Sequence, residues 1–173
     1  MIRIEDYSHP AGLHLLSRWQ AEDVDAKREM TEIFDAAIAG EFDANFAVPA
    51  PANEIHATAS IHMLALAVLF DLYGTQSEQY YKTDPYRYVR ANLAVSRLLG
   101  MKKFYMTWAL YALTCEPLGQ LMMYPDRFPP GADPDVPLIN KQNWRDLETP
   151  DFTHGVPKII ADLLRVTEDL TGL

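Results

Sequence analysis

The alternation of apolar and polar residues along the chain predicts helices in four places. Apolar residues recur at helical spacing over Glu22–Ala39, Glu54–Tyr73, Asp84–Leu99 and Val156–Leu170. Gly40, Gly74 and Gly100 follow the first three segments, and glycine is common just after the last residue of a helix. Asn53 and Asp84 stand where a side chain can cap the start of a helix. The capping residues and the glycines therefore agree with the helix ends that the periodicity predicts.

The second of these helices is apolar on almost every side. Its run from Met63 to Phe70 contains no polar side chain. A helix with so little polar surface lies in the centre of a protein or at a subunit interface. The run is far shorter than the ~20 residues that a membrane-spanning helix needs. We therefore expect an oligomer or a complex that covers this helix, and no association with a membrane.

One segment between two helices has the composition of a buried strand. Met101–Trp108 is rich in aromatic residues, has strand length and follows the glycine that ends the third helix. Helix, glycine turn and apolar strand follow one another in this order in βαβ units, so a parallel sheet is favoured. Its edge near Phe104–Thr107 is a second surface that we expect a partner to cover. The five prolines of Tyr124–Pro137 predict a loop without regular structure.

The composition and charge of the chain argue against some classes of function. The chain has 173 residues, 49% of them hydrophobic, and a formal net charge of −9. This composition is typical of a globular domain, and the acidic excess argues against binding to nucleic acid or to an anionic membrane. Cys115 is the only cysteine, and the first residues are charged rather than apolar. We therefore expect a cytoplasmic protein.

Several short segments in the second half of the chain stand in a distinctive order. They are Tyr80–Pro85, Ala91–Val95, Leu98–Gly100, Cys115–Gly119, Pro137–Ile139, Thr149–Phe152 and Leu170–Gly172. Taken together they resemble the N-terminal half of the uroporphyrinogen decarboxylase superfamily, and within it the corrinoid-linked methyltransferase branch is more similar. The resemblance covers about residues 75–173.

The resemblance implies a (β/α)₈ barrel of roughly twice this length, with its site at the C-terminal ends of the strands. A chain of 173 residues is shorter than the roughly 200 to 400 residues of a closed barrel. We therefore expect an α/β fold consisting of a partial (β/α)₈ (TIM) barrel, the N-terminal half, which is helix-rich. Residues 1–74 would form a helical N-terminal extension, and residues 75–173 would form the uroporphyrinogen-decarboxylase-like partial barrel.

Two chemistries occur in the family that the chain resembles. The decarboxylases use an arginine-rich motif and an aspartate after an early strand. Alignment on Pro117–Gly119 places Leu110 at that aspartate, and no arginine-rich entry motif is present. An apolar side chain cannot stabilise a cationic pyrrole intermediate. The methyltransferases instead use a zinc ion held by one His and two Cys from the C-terminal half, so the resemblance implies methyl transfer only when that half completes the chain.

Trp108, Tyr111 and Cys115 follow the predicted strand, where the functional loops of the family lie. The resemblance therefore implies substrate-binding roles for them, with buried packing as the alternative. Glu116 precedes a proline, and we expect it to cap a helix or to form an ion pair. The catalytic residues stay unknown.

The residues predict no cofactor or metal bound by this chain alone. It offers a single thiol, and His56 and His62 lie about 120° apart around one helix. His9, His14 and His154 stand in turn-like contexts. Zinc and a corrinoid would belong to a completed assembly.

The leading expectation is the N-terminal part of a uroporphyrinogen-decarboxylase-like methyltransferase in corrinoid or one-carbon metabolism, inactive without its C-terminal half. Its partners would be further copies of the chain or a complementary C-terminal half chain, together with a corrinoid protein. A non-catalytic α-rich partner or regulatory module derived from that family is the alternative. A genuine uroporphyrinogen decarboxylase is the third.

Overall fold

A computed structural model describes residues 9–41, 61–101, 108, 111–140 and 142–172. Within these ranges the chain forms seven α-helices: α1 His9–Gln20, α2 Val24–Ala39, α3 Ile61–Tyr73, α4 Ser77–Tyr81, α5 Pro85–Leu98, α6 Tyr111–Cys115 and α7 Gly155–Thr171. A 3₁₀ turn covers Glu116–Leu118. Two short strands, β1 Met122–Met123 and β2 Gly131–Ala132, pair antiparallel, with Met122 opposite Ala132. The described part is therefore helix-rich with a single two-stranded sheet.

Side-chain caps begin two of the predicted helices. Asp23 precedes α2, and its Oδ1 atom accepts hydrogen bonds from the backbone N–H groups of Asp25 (2.9 Å) and Ala26 (3.0 Å). Asp84 caps α5 through the N–H group of Arg87 at 3.1 Å, and Pro85 takes the first helical position, where no donor is needed. The predicted helices are confirmed here to within two residues. The cap of α2 is Asp23, so this helix begins after the predicted Glu22.

Two predicted elements fall wholly or partly outside the described residues. For α3, the structure confirms the helix from Ile61 onward, whereas the predicted start at Glu54 and the predicted cap Asn53 lie outside. Residues 102–107 of the predicted strand also lie outside, so that strand stays a prediction. The final helix, predicted over Val156–Leu170, is confirmed as α7.

Two expectations about irregular structure are wrong. His9 and His14 do not lie in turns but in α1, whose first turn tolerates Pro10 because the first N–H groups of a helix have no partner within it. The predicted loop Tyr124–Pro137 contains β2. Pairing is allowed there because Gly131 and Ala132 are not prolines and keep their backbone N–H groups.

α5 is the central helix of the described part. The helices α1, α2, α3 and α7 all pack against it. Nine of its residues are buried, among them Val89, Leu93 and Val95 at 0% exposure. One buried hydrophobic cluster contains side chains from both sides of residue 74. The predicted division at that residue stays a prediction, and the core crosses it.

α3 buries one side and leaves another side open. Ile61, Leu66 and Leu69 are buried, whereas Met63 is 41% exposed and Phe70 is only partly covered. Among the described helices, none has both the length and the apolar composition that a bilayer crossing requires. The predicted oligomer or complex at this helix stays a prediction, and the predicted edge at Phe104–Thr107 lies outside the described residues.

Candidate functional site

The structure places Trp108 in a buried aromatic cluster. Its side chain is 3% exposed, and its ring centroid lies 5.3 Å from that of Tyr81 at an angle of 83°. The indole Nε1 atom is buried and has no hydrogen-bond partner among the described residues. Trp108 therefore packs in the core of the described part of the chain. Its predicted substrate-binding role stays a prediction.

Three tyrosines complete the aromatic cluster around Trp108. The ring of Tyr80 lies 4.9 Å from that of Tyr81 and 4.7 Å from that of Tyr88. Asn92 Nδ2 donates to the Tyr80 hydroxyl and to the Tyr88 carbonyl oxygen, both at 2.8 Å. Burial raises the pKa of Tyr80 and of Tyr88. Both hydroxyls are therefore neutral, which suits packing.

Cys115 and Tyr111 lie at the two ends of α6. The side chain of Tyr111 is outside the described residues. Cys115 is half-buried, and its Sγ atom lies 3.9 Å from Thr114 Oγ1. The chain then enters the 3₁₀ turn and reaches the lining of a cleft through Glu116. The structure thus places Trp108 and Cys115 in different surroundings, one in the core and one beside a cleft.

This cleft, which we call the Glu116 cleft, has a volume of about 340 Å³. Its lining combines charged and polar side chains with an apolar wall: Lys82, Glu116, Gly119, Gln120, Leu121, Met122, Tyr124, Val156 and Ile159. A concave surface with few polar groups beside apolar ones is the usual form of a small-molecule site. It is the candidate functional site.

Glu116 caps a helix that begins far along the chain. Its Oε2 atom accepts a hydrogen bond from the backbone N–H of Val156, in the first turn of α7, at 3.2 Å. Gly155 has a φ of 59°, and a Cβ atom there would lie 2.5 Å from Glu116 Oε1. Glycine adopts this positive φ at little cost, and a Cβ atom there would displace the Glu116 carboxylate. The predicted capping role of Glu116 is confirmed.

Lys82 and Tyr124 lie together on one side of the cleft. Lys82 Nζ donates to Glu78 Oε1 at 2.7 Å and lies 4.6 Å from the centroid of the Tyr124 ring. The hydrogen bond to Glu78 raises the pKa of Lys82, and burial raises the pKa of Tyr124. A charged ammonium group therefore lies over a neutral phenol ring, a favourable cation–π arrangement.

Gln120 holds the loop wall of the cleft in place. Its Nε2 atom donates to the carbonyl oxygens of Leu121 (3.1 Å), Asp133 (3.4 Å) and Val136 (3.0 Å). Its Oε1 atom accepts from the N–H of Leu138 at 3.0 Å. The amide thus joins the chain just before β1 to residues 133–138, at the end of the five-proline segment. Sequence reasoning missed this residue, because a single glutamine has no recognisable spacing.

Segments that carry the resemblance meet around this cleft. Lys82 comes from the first of them, Glu116 and Gly119 come from another, and Leu138 is held by Gln120. No family model, curated protein or solved structure matches the chain.

The metal ligands implied by the resemblance have no counterpart in the described part of the chain. No three His, Cys, Asp or Glu side chains within those ranges are grouped so that they could hold a metal ion. A set of one His and two Cys also needs a second thiol beside Cys115, the only cysteine of the sequence. The residues of this chain therefore do not fit the zinc site of the methyltransferases.

We expect removal of the Glu116 cap to destabilise the protein measurably. Glu116→Ala should lower the free energy of unfolding by about 1 kcal/mol, because Val156 N–H loses its acceptor and the helix start loses an anion. Urea unfolding followed by far-UV circular dichroism measures this change. Glu148→Ala is the control, since it removes an exposed carboxylate of the same kind. Equal losses for both variants would contradict a specific cap.

Proposed function

We propose that the chain is the N-terminal part of a uroporphyrinogen-decarboxylase-like methyltransferase that acts in corrinoid or one-carbon metabolism. In this proposal residues 75–173 are a partial (β/α)₈ barrel that binds substrate, and the chain is inactive without its C-terminal half. The observation that carries the proposal is the Glu116 cleft, where segments of the resemblance come together.

The distance along the chain between the lining residues gives this observation its weight. Lys82, Glu116 and Val156 belong to three separate parts of the sequence, yet they line one cleft. In barrel enzymes the functional groups likewise come from the ends of several elements that are remote in sequence. This convergence, in the order of motifs that the family shows, supports a common site.

The residues of this chain would bind and orient the substrate. Lys82 offers an ammonium group for an anionic substituent, and Val156 and Ile159 offer an apolar surface. Trp108, Tyr111 and Cys115 are proposed as further substrate-binding residues. The zinc of the C-terminal half would hold the acceptor as a thiolate, the nucleophilic form of a thiol.

The test compares the chain alone with the chain expressed together with a C-terminal half that carries His-x-Cys and a distant Cys. Loss of the methyl group from methylcobalamin in the presence of a thiol is followed by absorbance. We expect methyl transfer by the combined protein only. Lys82→Met should raise KM at least about tenfold, the effect of one lost charge-assisted contact.

Lys158→Met is the matched control for this substitution. Lys158 also pairs with a carboxylate four residues away on a helix, Asp162, at 2.6 Å, but it lies outside the cleft. It should leave KM unchanged. A combined protein without methyl transfer would refute the proposal, and turnover of uroporphyrinogen would favour the third function, decarboxylation.

The alternative function, a non-catalytic α-rich partner or regulatory module, has one observation in its favour. The charged side chains at the Glu116 cleft already have structural partners, Glu116 at the start of α7 and Lys82 on Glu78. A module of this kind would bind its partner without Lys82 contacting substrate. Lys82→Met would then leave KM of the complex unchanged, which separates the two functions.

A further inference from the structure

A second cleft, with a volume of about 530 Å³, lies between α1, α2, α3 and the segment after β1. We call it the Trp19 cleft. Trp19 and Phe70 give it two aromatic side chains, and Val24 and Ala67 add aliphatic surface. Its volume is within the range of roughly 300 to 1,000 Å³ that small-molecule sites occupy. The Glu116 cleft shares none of its lining residues.

A hydrogen-bond network fixes the indole of Trp19. Its Nε1 atom donates to Asp71 Oδ2 at 2.8 Å, and Lys27 Nζ donates to Asp71 Oδ1 at 3.1 Å. Both oxygens of Asp71 therefore have a partner, and the charge of Lys27 is compensated. The network holds an aromatic ring at the cleft in one orientation, which lowers the entropy cost of stacking a ligand on it.

Arg127 is the second cation that lines this cleft, beside Lys27. Its guanidinium carbon lies 4.1 Å from the centroid of the Phe70 ring. Stacking uses the face of a guanidinium, whereas its five N–H donors lie in its plane. Within the described part of the chain, Arg127 makes no ion pair and no side-chain hydrogen bond. With respect to the residues that the structure describes, its N–H donors are available to a ligand.

The backbone around Arg127 is held in place. The N–H of Phe128 donates to the Pro125 carbonyl oxygen at 3.2 Å, which closes a turn. The hydroxyl of the buried Ser77 donates to the Phe128 carbonyl oxygen at 2.7 Å. The side chain of Arg127 therefore extends from a backbone turn that is already fixed. Less of the chain has to become ordered when the guanidinium binds a ligand.

We propose that the Trp19 cleft binds a small planar aromatic carboxylate. The ring lies against Trp19 and Phe70, and the carboxylate accepts hydrogen bonds from Arg127, the pairing for which the guanidinium geometry is suited. The exposed side chain of Glu22 also lines the cleft and repels anions, which favours a singly charged carboxylate over a phosphate. This inference does not depend on the proposed methyl transfer.

Isothermal titration calorimetry with 2-naphthoate tests the proposal on the full chain. We expect a dissociation constant of about one millimolar or tighter, and Arg127→Gln should weaken binding at least about tenfold. Arg145→Gln is the matched control, because Arg145 also stacks on an aromatic ring, that of Trp144 at 4.6 Å, but lies outside the cleft. It should bind 2-naphthoate like the wild type.

A comparison on the wild-type protein keeps the test independent of any folding defect in the variant. The neutral 2-naphthamide has the same ring system without the charge, so it should bind at least about tenfold more weakly than 2-naphthoate. Added salt should weaken the binding of the carboxylate and leave that of the amide unchanged. Equal affinity for the two compounds, or undetectable binding of 2-naphthoate at millimolar concentration, would overturn the proposal.

Discussion

Gly12→Ala is expected to lower the free energy of unfolding by about 3 kcal/mol. Gly12 lies on α1 where this helix meets the C-terminal end of α5. A Cβ atom at this position would overlap the backbone carbonyl oxygen of Leu98. A backbone atom cannot rotate away as a side chain can, so α1 must move off the central helix. Urea unfolding measures the loss.

Alanine variants of two other glycines distinguish the effect of this steric overlap from the effect of backbone strain. A Cβ atom on Gly74 meets nothing within 4 Å, but its φ of 67° is unfavourable for other residues, so Gly74→Ala should cost about 1 kcal/mol. Gly131 has open space and no positive φ, and Gly131→Ala should change stability by less than about 0.5 kcal/mol. If Gly12→Ala behaves like Gly131→Ala, the close contact of α1 with α5 is refuted.

Gln120→Leu is also expected to lower the free energy of unfolding by about 3 kcal/mol. In addition, we expect it to open the structure locally. Leucine fills a similar space, but the Val136 carbonyl oxygen and the Leu138 N–H lose the partner that Gln120 provides. The carbonyl oxygens of Leu121 and Asp133 lose one of two donors and keep the backbone N–H groups of Asp133 and Val136. Unpaired polar groups in a partly buried place must find water, so the segment opens. Limited proteolysis within residues 121–138 detects the opening, and urea unfolding measures the total loss.

Two further variants test whether the effect is specific to the amide group of Gln120. Gln120→Glu keeps the acceptor for Leu138 but replaces the donor with a carboxylate that faces carbonyl oxygens, so it should not rescue the segment. Gln142→Leu, at an exposed position, should leave both measurements unchanged. Wild-type resistance to proteolysis in Gln120→Leu would show that other contacts hold the segment.

The helices that could be predicted from the sequence are those with local end signals. The caps Asp23 and Asp84 bond to N–H groups within three residues, so the pattern that specifies them lies in a short window. α1 was not predicted, because Pro10 and Gly12 are poor helix formers. Glycine is needed at position 12 because α1 lies close to α5 there, and α5 is remote from α1 in sequence.

The candidate site could be predicted only in part, for the same physical reason. Glu116 was expected to cap a helix, yet its partner Val156 lies 40 residues further along the chain. Gln120 gave no signal, since its bonds reach as far as 18 residues. Trp108 was predicted from a strand whose residues 102–107 are outside the described ranges. Contacts between residues that are far apart in sequence can be identified only once the fold is known.

The buried tyrosines also limit the stability of the protein in alkali. Burial raises the pKa of Tyr80 and Tyr88 above its ordinary value near 10. Their contribution to stability is therefore complete below pH 10, and it is lost as the pH rises through the raised pKa, because only the unfolded chain releases these protons readily. Tyrosinate absorbance from this cluster would accordingly appear when the helices α4 and α5 come apart, so the chain carries an optical marker of its own alkaline unfolding.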